Sequence, residues 1–307
     1  MTKASNNISS DYVGRFAPSP TGPLHFGSLV AALASFLDAR HQGGKWLVRM
    51  EDLDPPREQA GASSAILKSL ESHQLFWDGE VLFQSQRHAA YQEILDQLQA
   101  RQLVYPCYCT RKVLAAKGGI YPGTCRHRPR LKKPSALRLL TAELPDAERS
   151  LILQNRFADI FLGQVTCQES MGDFIVRRKD GLYAYQLAVV VDDIYQNITH
   201  VIRGIDLLDS TPSQIFLFNC LHVNPPQYGH VPVVLNELGQ KLSKQHGAKA
   251  LDNNRSVDNI CKALLFLNHP PPTELTHADT NTVLQWAIAH WDRKKIPTHS
   301  TKVVPIN

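Results

Sequence analysis

Two stretches more than two hundred residues apart carry the residue types that hold a nucleotide phosphate. The first reads Arg15-Phe-Ala-Pro-Ser-Pro-Thr-Gly-Pro-Leu-His25-Phe-Gly-Ser28. Its prolines and Gly22 fix a loop that delivers the chain to a helix start, with His25 and Gly27 in the first turn. Backbone N–H groups there lack intrahelical partners, and the helix dipole favours an anion. A histidine can donate to a phosphate, and a glycine lets a nucleotide approach the backbone. The same text also fits a proline-rich turn with a helix cap. The second stretch, Lys241-Leu-Ser-Lys244-Gln245, follows a turn at Asn236-Glu-Leu-Gly239. Two lysines around a serine make a phosphate grip, although any lysine-rich loop looks similar.

Two further groups suit a small polar substrate. Arg49-Met-Glu-Asp-Leu-Asp54-Pro-Pro-Arg57 closes an expected strand. Ligands of α/β sheets bind at that end, so Glu51 is placed to meet a substrate amine, the alternative being a surface ion-pair cluster. In Asp180-Gly-Leu-Tyr-Ala-Tyr185-Gln-Leu-Ala-Val-Val-Val-Asp192-Asp193, paired aspartates end an apolar run read as a strand, where a ribose, metal or substrate would lie. Tyr183 and Tyr185 could equally be core aromatics, and Arg203 in Arg203-Gly-Ile-Asp206 a salt-bridge partner.

Cys107, Cys109 and Cys125 cluster within nineteen residues, and in a cytosolic chain three close thiols favour zinc over a disulfide. His127 offers a fourth ligand by ordinary zinc chemistry. Cys167, Cys220 and Cys261 are scattered and read as small buried apolar residues. The basic stretch Arg126-His-Arg-Pro-Arg-Leu-Lys-Lys133 is either solvated or contacts phosphates, and Pro129 and Pro134 disfavour a helix there.

The elements that position these groups follow from periodicity. Tyr12–Phe16 reads as a short strand ending at Pro18. Leu24 to Arg40 carries apolar residues with helical period, Gly43-Gly44 stops it, and Trp46–Met50 reads as a buried strand. Such a βαβ unit implies a parallel sheet. Helices are expected at about 58–73 and 87–102, strand-like runs at Phe174–Arg177 and Ala188–Val191, and a last strand at His230–Leu235. Ser210-Thr-Pro212 opens another helix with a cap and a first-turn proline. The 105–170 stretch, with its cysteines, prolines and Gly118-Gly119, reads as an insertion between the sheet's two halves. Val283, Trp286 and Ala287 suggest a packed helix near the end.

With 307 residues, 43% hydrophobic and 20% charged, the chain is an ordinary globule with length for a substantial core. No apolar run approaches the ~20 residues that span a bilayer. Residues 1–11 are polar, lack the apolar centre of a signal peptide and read as a disordered leader, so the cytoplasm is expected. A net charge of +5 suits a polyanionic partner without demanding one.

Taken together, His25-Phe-Gly-Ser28 and Lys241–Gln245 resemble the two signature motifs of class I aminoacyl-tRNA synthetases. Arg15–Gly22, Val191-Asp-Asp193 and Arg203-Gly204 resemble the glutamyl-tRNA synthetase catalytic domain in particular, over about residues 12–250. The 62 residues after Gln245 are fewer than those enzymes devote to reading the anticodon. The nearest resemblance is therefore to their truncated paralogues, the glutamyl-Q tRNA(Asp) synthetases. Phe26, Ser28 and Gln245 also look like that family, although Ser28 departs from the common signature and could alter ATP contacts.

That resemblance implies a Rossmann-like α/β catalytic domain in two halves (12–104 and 171–250), a zinc-bearing insertion at 105–170, and a short helical segment at 251–307 without an anticodon-binding domain. It implies tRNA-independent activation of L-glutamate by ATP with Mg²⁺, and transfer to queuosine in the anticodon of tRNA(Asp). Arg15, Phe16, Ala17, Pro18, Ser19, Glu51, Tyr185 and Arg203 would hold glutamate. His25, Gly27 and Lys244 would hold ATP, with His25, Lys241 and Lys244 catalytic. The family pattern completes the Cys107, Cys109, Cys125 site with Tyr121 and so favours it over His127. A monomer is expected. The alternatives are a minimal enzyme charging tRNA(Glu) and a non-catalytic paralogue that senses glutamate or tRNA.

Overall fold

The computed structural model describes residues 11–110, 113, 121–141, 156–167, 172–236, 239–242 and 248–298. The leader up to residue 10, Gly118, Gly119, Lys244 and Gln245 lie outside that set.

Strand β1 (Val13–Phe16), helix α1 (Phe26–His41) and strand β2 (Lys45–Met50) form the expected parallel unit, in register from Val13 opposite Lys45 to Phe16 opposite Val48. The return turn needs its glycines. Gly43 has φ +66, and a Cβ on Gly44 would lie 2.5 Å from the Tyr12 carbonyl oxygen. Leu29, Val30, Leu33, Phe36 and Leu37 of α1 are all buried, so this helix has no broad solvent face. It is enclosed by the sheet and by α6 and α7, the helices at Ser256–Phe266 and Thr280–Ala289, whose Ile260, Leu264, Val283 and Leu284 share its core.

Helices α2 (Ala62–Ser72) and α3 (His88–Ala100) flank β3 (Leu82–Phe83), which runs parallel to β2. Next come β4 (Val104–Cys107), β5 (Ala136–Leu139), the hairpin β6 (Arg156–Asp159) and β7 (Gly163–Thr166), and β8 (Ile175–Arg177). β4, β5 and β8 make a small antiparallel sheet. β6 instead pairs parallel with β10 (Gln227–Val231), which pairs parallel with β9 (His200–Gly204). The 105–170 stretch thus divides between two sheets. Thr199 joins β9 to β1: its N–H donates to the Val13 carbonyl at 2.9 Å, and its Oγ1 accepts from the Val13 N–H at 2.9 Å. The last residues of β1, β9 and β10, Phe16, Gly204 and Val231, line one cleft, which carries the site.

Two expectations need correction. The apolar run at 188–191 is not a strand but the middle of helix α4 (Tyr185–Tyr195). Leu187 to Asp193 are all buried, so no polar face marks the helical period, and three consecutive valines imitate a buried strand. The last strand, β10, starts three residues before His230 and ends at Val231, not at Leu235. Helix α5 (Thr211–Cys220) carries Pro212 in its first turn as expected, but Ser210 at its N-cap makes no side-chain capping bond. Among the described residues no helix is long and apolar enough to cross a membrane.

Candidate active site

The Pro18-Ser-Pro loop is stitched to the end of β2, with the Glu51 N–H donating to the Pro18 carbonyl at 3.0 Å. His25 is the N-cap of α1, not a residue of its first turn, and its Nδ1 accepts from the Ser28 N–H at 3.2 Å. The ring thus satisfies one of the orphan donors of the helix start and carries its proton on Nε2 when neutral. Behind it the two signature stretches meet. His25 bridges to Ala250, the Leu251 N–H donates to the Leu24 carbonyl at 2.9 Å, and a Cβ on Gly27 would lie 3.7 Å from the Leu242 carbonyl. Lys241 Nζ lies 2.5 Å from Asp206. A cleft of about 710 Å³ opens here, lined by Ala17, Pro18, Ser19, His25, Gly27, Ser28, Lys241 and Asp206 among others. Its size and helix N-terminus suit a nucleoside triphosphate.

A second pocket of about 450 Å³ shares Phe16, Ala17, Ser19, Arg57, Gly204 and Lys241 with the cleft, and adds Arg15, Glu51, Tyr185 and Arg203. Every residue expected around glutamate lines this pocket except Pro18, which lines only the cleft. Arg15 is tied through Nε to Asp193 at 3.3 Å, and its Nη1 and Nη2 have no partner among the described residues. Arg203, the last strand residue but one of β9, meets no carboxylate among the described residues; it donates to His230, Gln214, Thr211 and the Leu207 carbonyl. Glu51 Oε1 is buried without a hydrogen-bond partner, 3.8 Å from Arg49 Nη2. Burial pushes its carboxyl up to about 7, against the opposing pull of Arg49 and Arg15. Burial likewise raises the Tyr185 hydroxyl, and the nearby Glu51 raises it further.

Asp192 and Asp193 line neither pocket. Asp192 accepts from Gln84 at 2.8 Å, Arg87 at 3.0 Å and Tyr91 at 2.7 Å. Asp193 holds Arg49 at 2.7 Å as well as Arg15. Burial works against the charge of Asp193, but these two guanidinium groups hold its carboxyl below the ordinary range. Two aspartates on a buried helix therefore anchor arginines from the strands, the arrangement that buried charges require. Tyr183 is a core aromatic against Tyr91 and His88.

The three clustered cysteines come together. Their Sγ atoms all lie within 4.8 Å of one another, and those of Cys109 and Cys125 are 3.7 Å apart. Tyr121 is buried beside them, its hydroxyl accepting from the Cys125 N–H at 2.8 Å, while Arg138 covers its ring at 3.9 Å. His127 is exposed and does not join the group. Burial would raise the Cys125 thiol, but hydrogen bonds from the Tyr108 backbone, Tyr121, Cys109 and Cys107 bring it down to about 7. Three sulfurs and a phenol oxygen around one point suit a tetrahedral metal ion. Cys167 and Cys220 are buried as expected, and Cys261 is half-buried.

The family described as "tRNA synthetases class I (E and Q), catalytic domain" matches residues 12–265. Proteins named Glutamyl-Q tRNA(Asp) synthetase from Thiobacillus denitrificans and Pseudomonas fluorescens are 52% and 48% identical to it, over 300 and 293 residues. Each alignment covers 95% of this chain, and 97% and 95% of those proteins. The chain belongs to the glutamyl-Q tRNA(Asp) synthetase family. Class I membership brings ATP and Mg²⁺ with it. The fold is shared with the glutamate-tRNA synthetase of Elizabethkingia anophelis, at a TM-score of 0.77 and 24% identity, over 96% of this chain and 68% of that one. A glutamate tRNA ligase from Elizabethkingia meningosepticum, solved with its amino acid, gives 0.75 and 24%, over 95% and 67%.

Sequence reading of this family member missed Arg57 and Asp206 as pocket walls and Asp159, Gln214 and His230 behind Arg203. Arg57 and Asp206 lie at the ends of the Arg49–Arg57 and Arg203–Asp206 stretches, a signal that could have found them. The other three come from separate elements, and no local signal joins them.

Proposed function

We propose that this protein activates L-glutamate with ATP, without tRNA, and transfers the glutamyl group to queuosine in the anticodon of tRNA(Asp). One observation carries the amino-acid half. Two arginines and one carboxyl, Arg15, Arg203 and Glu51, line a pocket that opens on the phosphate cleft. That is the charge complement of glutamate, which has two carboxylates and one ammonium. Arg15, with both Nη groups available, takes one carboxylate in a fork, Arg203 takes the other, and Glu51 takes the ammonium. Tyr185 and the Phe16–Ser19 loop wall the pocket.

ATP lies along the start of α1, with His25 Nε2–H and Gly27 at its phosphates. The glutamate α-carboxylate attacks the α-phosphorus; the new O–P bond forms as the bond to the β-phosphate breaks and pyrophosphate leaves. Lys241 and Lys244 stabilise the charge that develops there. A queuosine ring hydroxyl then attacks the glutamyl carbonyl and AMP departs. The relatives' names support the queuosine step.

Cys107, Cys109, Cys125 and Tyr121 hold one structural zinc, which pins the 105–170 insertion between halves of the catalytic domain at 12–104 and 171–250. Zinc there cross-links the chain and takes no part in the reaction. The enzyme works as a cytoplasmic monomer. Labelled glutamate and ATP, offered with queuosine-bearing tRNA(Asp), queuosine-free tRNA(Asp) or tRNA(Glu), should label only the first. Label on tRNA(Glu) would make it a minimal charging enzyme, and absence of glutamate-dependent ATP–pyrophosphate exchange a binding paralogue.

A further inference from the structure

The Arg203 guanidinium is held by a hydrogen-bonded chain that begins on a hairpin outside the pocket. Asp159 ends β6, and its Oδ1 accepts from the N–H groups of Phe161 at 2.9 Å and Leu162 at 3.0 Å. Its Oδ2 lies 2.6 Å from Nδ1 of His230 on the adjacent β10. Nε2 of His230 lies 3.1 Å from Nε of Arg203 on β9. The Asp159 and His230 side chains have no exposure at all. An arginine can only donate and a carboxylate can only accept, so the partners dictate the tautomer. The ring proton sits on Nδ1, and Nε2 offers its lone pair to Arg203. Burial lowers the pKa of His230, in keeping with a neutral ring.

The rest of the guanidinium is fixed from other sides. Nη1 donates to Gln214 at 2.7 Å, and Nη2 to Thr211 at 2.7 Å and the Leu207 carbonyl at 3.3 Å. The second hydrogen of Nη1 has no partner among the described residues, and Arg203 lines the pocket. The Tyr228 ring lies 5.1 Å from the guanidinium carbon. His230 itself lines neither pocket, and its Nε2 also lies 3.1 Å from the Thr211 hydroxyl that accepts from Arg203, so its polar contacts lie within the set that holds Arg203 and not with a ligand.

We propose that His230, oriented by Asp159, is a positioning residue that sets Arg203 for the carboxylate of an acidic amino acid and so determines both affinity and chain-length selectivity. This rests on the glutamate reading of the pocket. A guanidinium fixed before binding loses no further freedom when the ligand arrives, and second-layer partners commonly fix such groups. A fixed guanidinium also cannot follow the carboxylate of aspartate, which is one methylene shorter.

The test compares wild-type protein with His230→Gln and His230→Leu, measuring L-glutamate and L-aspartate affinity by calorimetry and KM for ATP by pyrophosphate exchange. A glutamine amide keeps a donor for Asp159 and an acceptor for Arg203; leucine keeps neither. His230→Leu should weaken glutamate roughly ten- to hundredfold and narrow the glutamate-to-aspartate ratio. Its KM for ATP should stay within about twofold, and His230→Gln should recover most of the glutamate affinity. Should the leucine variant not fold, His230→Ala with imidazole added back supplies the same comparison. Unchanged glutamate affinity, an equal loss for ATP, or no recovery by the restoring variant would overturn the proposal. Wild-type protein that binds glutamate without exchange sinks the activity while the variant affinities still judge His230; wild-type protein that does not bind glutamate overturns both.

Discussion

Glutamate affinity should depend on pH through Glu51. Its carboxyl is buried, its Oε1 has no hydrogen-bond partner, and the nearest cation is 3.8 Å away. Burial therefore outweighs Arg49 and Arg15 and pushes its pKa up to about 7. An ammonium ion binds the carboxylate, not the acid, so below pH 7 the free protein must release a proton before it can pair. Binding thus releases protons, and affinity falls as pH falls. Each unit below the pKa costs about 1.4 kcal/mol, or tenfold in Kd. From pH 8 to pH 6 the Kd should rise about tenfold, since the ligand's own groups do not titrate in that window. Glu51→Gln should lose about 1.5–3 kcal/mol at pH 8, roughly ten- to hundredfold in Kd, and show no slope. Calorimetry at pH 6.5 in buffers of different ionisation heat should detect proton release in the wild type only. A flat wild-type profile, or a slope surviving in Glu51→Gln, would refute the assignment of the ammonium to Glu51.

Four other outcomes are expected. Lys244→Ala should lower the turnover of pyrophosphate exchange far more than glutamate affinity, as the role proposed for its charge at the transition state requires; equal losses would remove that role. Arg15→Lys should weaken glutamate by calorimetry and lower the melting temperature less than Arg203→Lys, since it gives up one side-chain bond, to Asp193, whereas Arg203→Lys leaves Thr211, Gln214 and His230 without their partner. Metal analysis should find one zinc per chain in the wild type and none in Cys125→Ser, which should also melt earlier; a metal-free wild type would refute the zinc site. Asp38 of α1 accepts from Tyr12, Trp291 and twice from Arg293, so Asp38→Asn should cost about 1–3 kcal/mol in urea unfolding.

What the chain showed in advance was what its local spacing determines. β1, α1 and β2 are punctuated by Pro18 and Gly43-Gly44, so strand, helix and strand could be placed within two residues. Seven of the eight residues expected around the amino acid line one pocket because six sit at strand ends or in the loops those strands feed and the seventh, Tyr185, opens α4. α4 was misread because a helix buried all round shows no period, and with it went the role of Asp192 and Asp193. A physical clue was present nonetheless. An arginine inside an apolar strand, Arg49 in Trp46-Leu-Val-Arg-Met50, must find a buried carboxylate, and two adjacent aspartates at the end of an apolar run must find cations.

The chain from Asp159 through His230 to Arg203 had no such clue, since it depends on which strands lie side by side and in what register. β6 meets β10 at a single pair, Asp159 opposite Tyr228, and β10 meets β9 with His230 opposite Arg203. A slip of one residue in either ladder would turn the histidine to the other face of the sheet. His230 therefore meets Arg203 because β10 and β9 pair in that register, and Asp159 reaches His230 because the β6–β7 hairpin docks against β10, with the Asx-type bonds from Phe161 and Leu162 holding the carboxylate at that spot. Selectivity for the amino acid, if it depends on a guanidinium held from three sides, is set by sheet register as much as by the residues that touch the ligand.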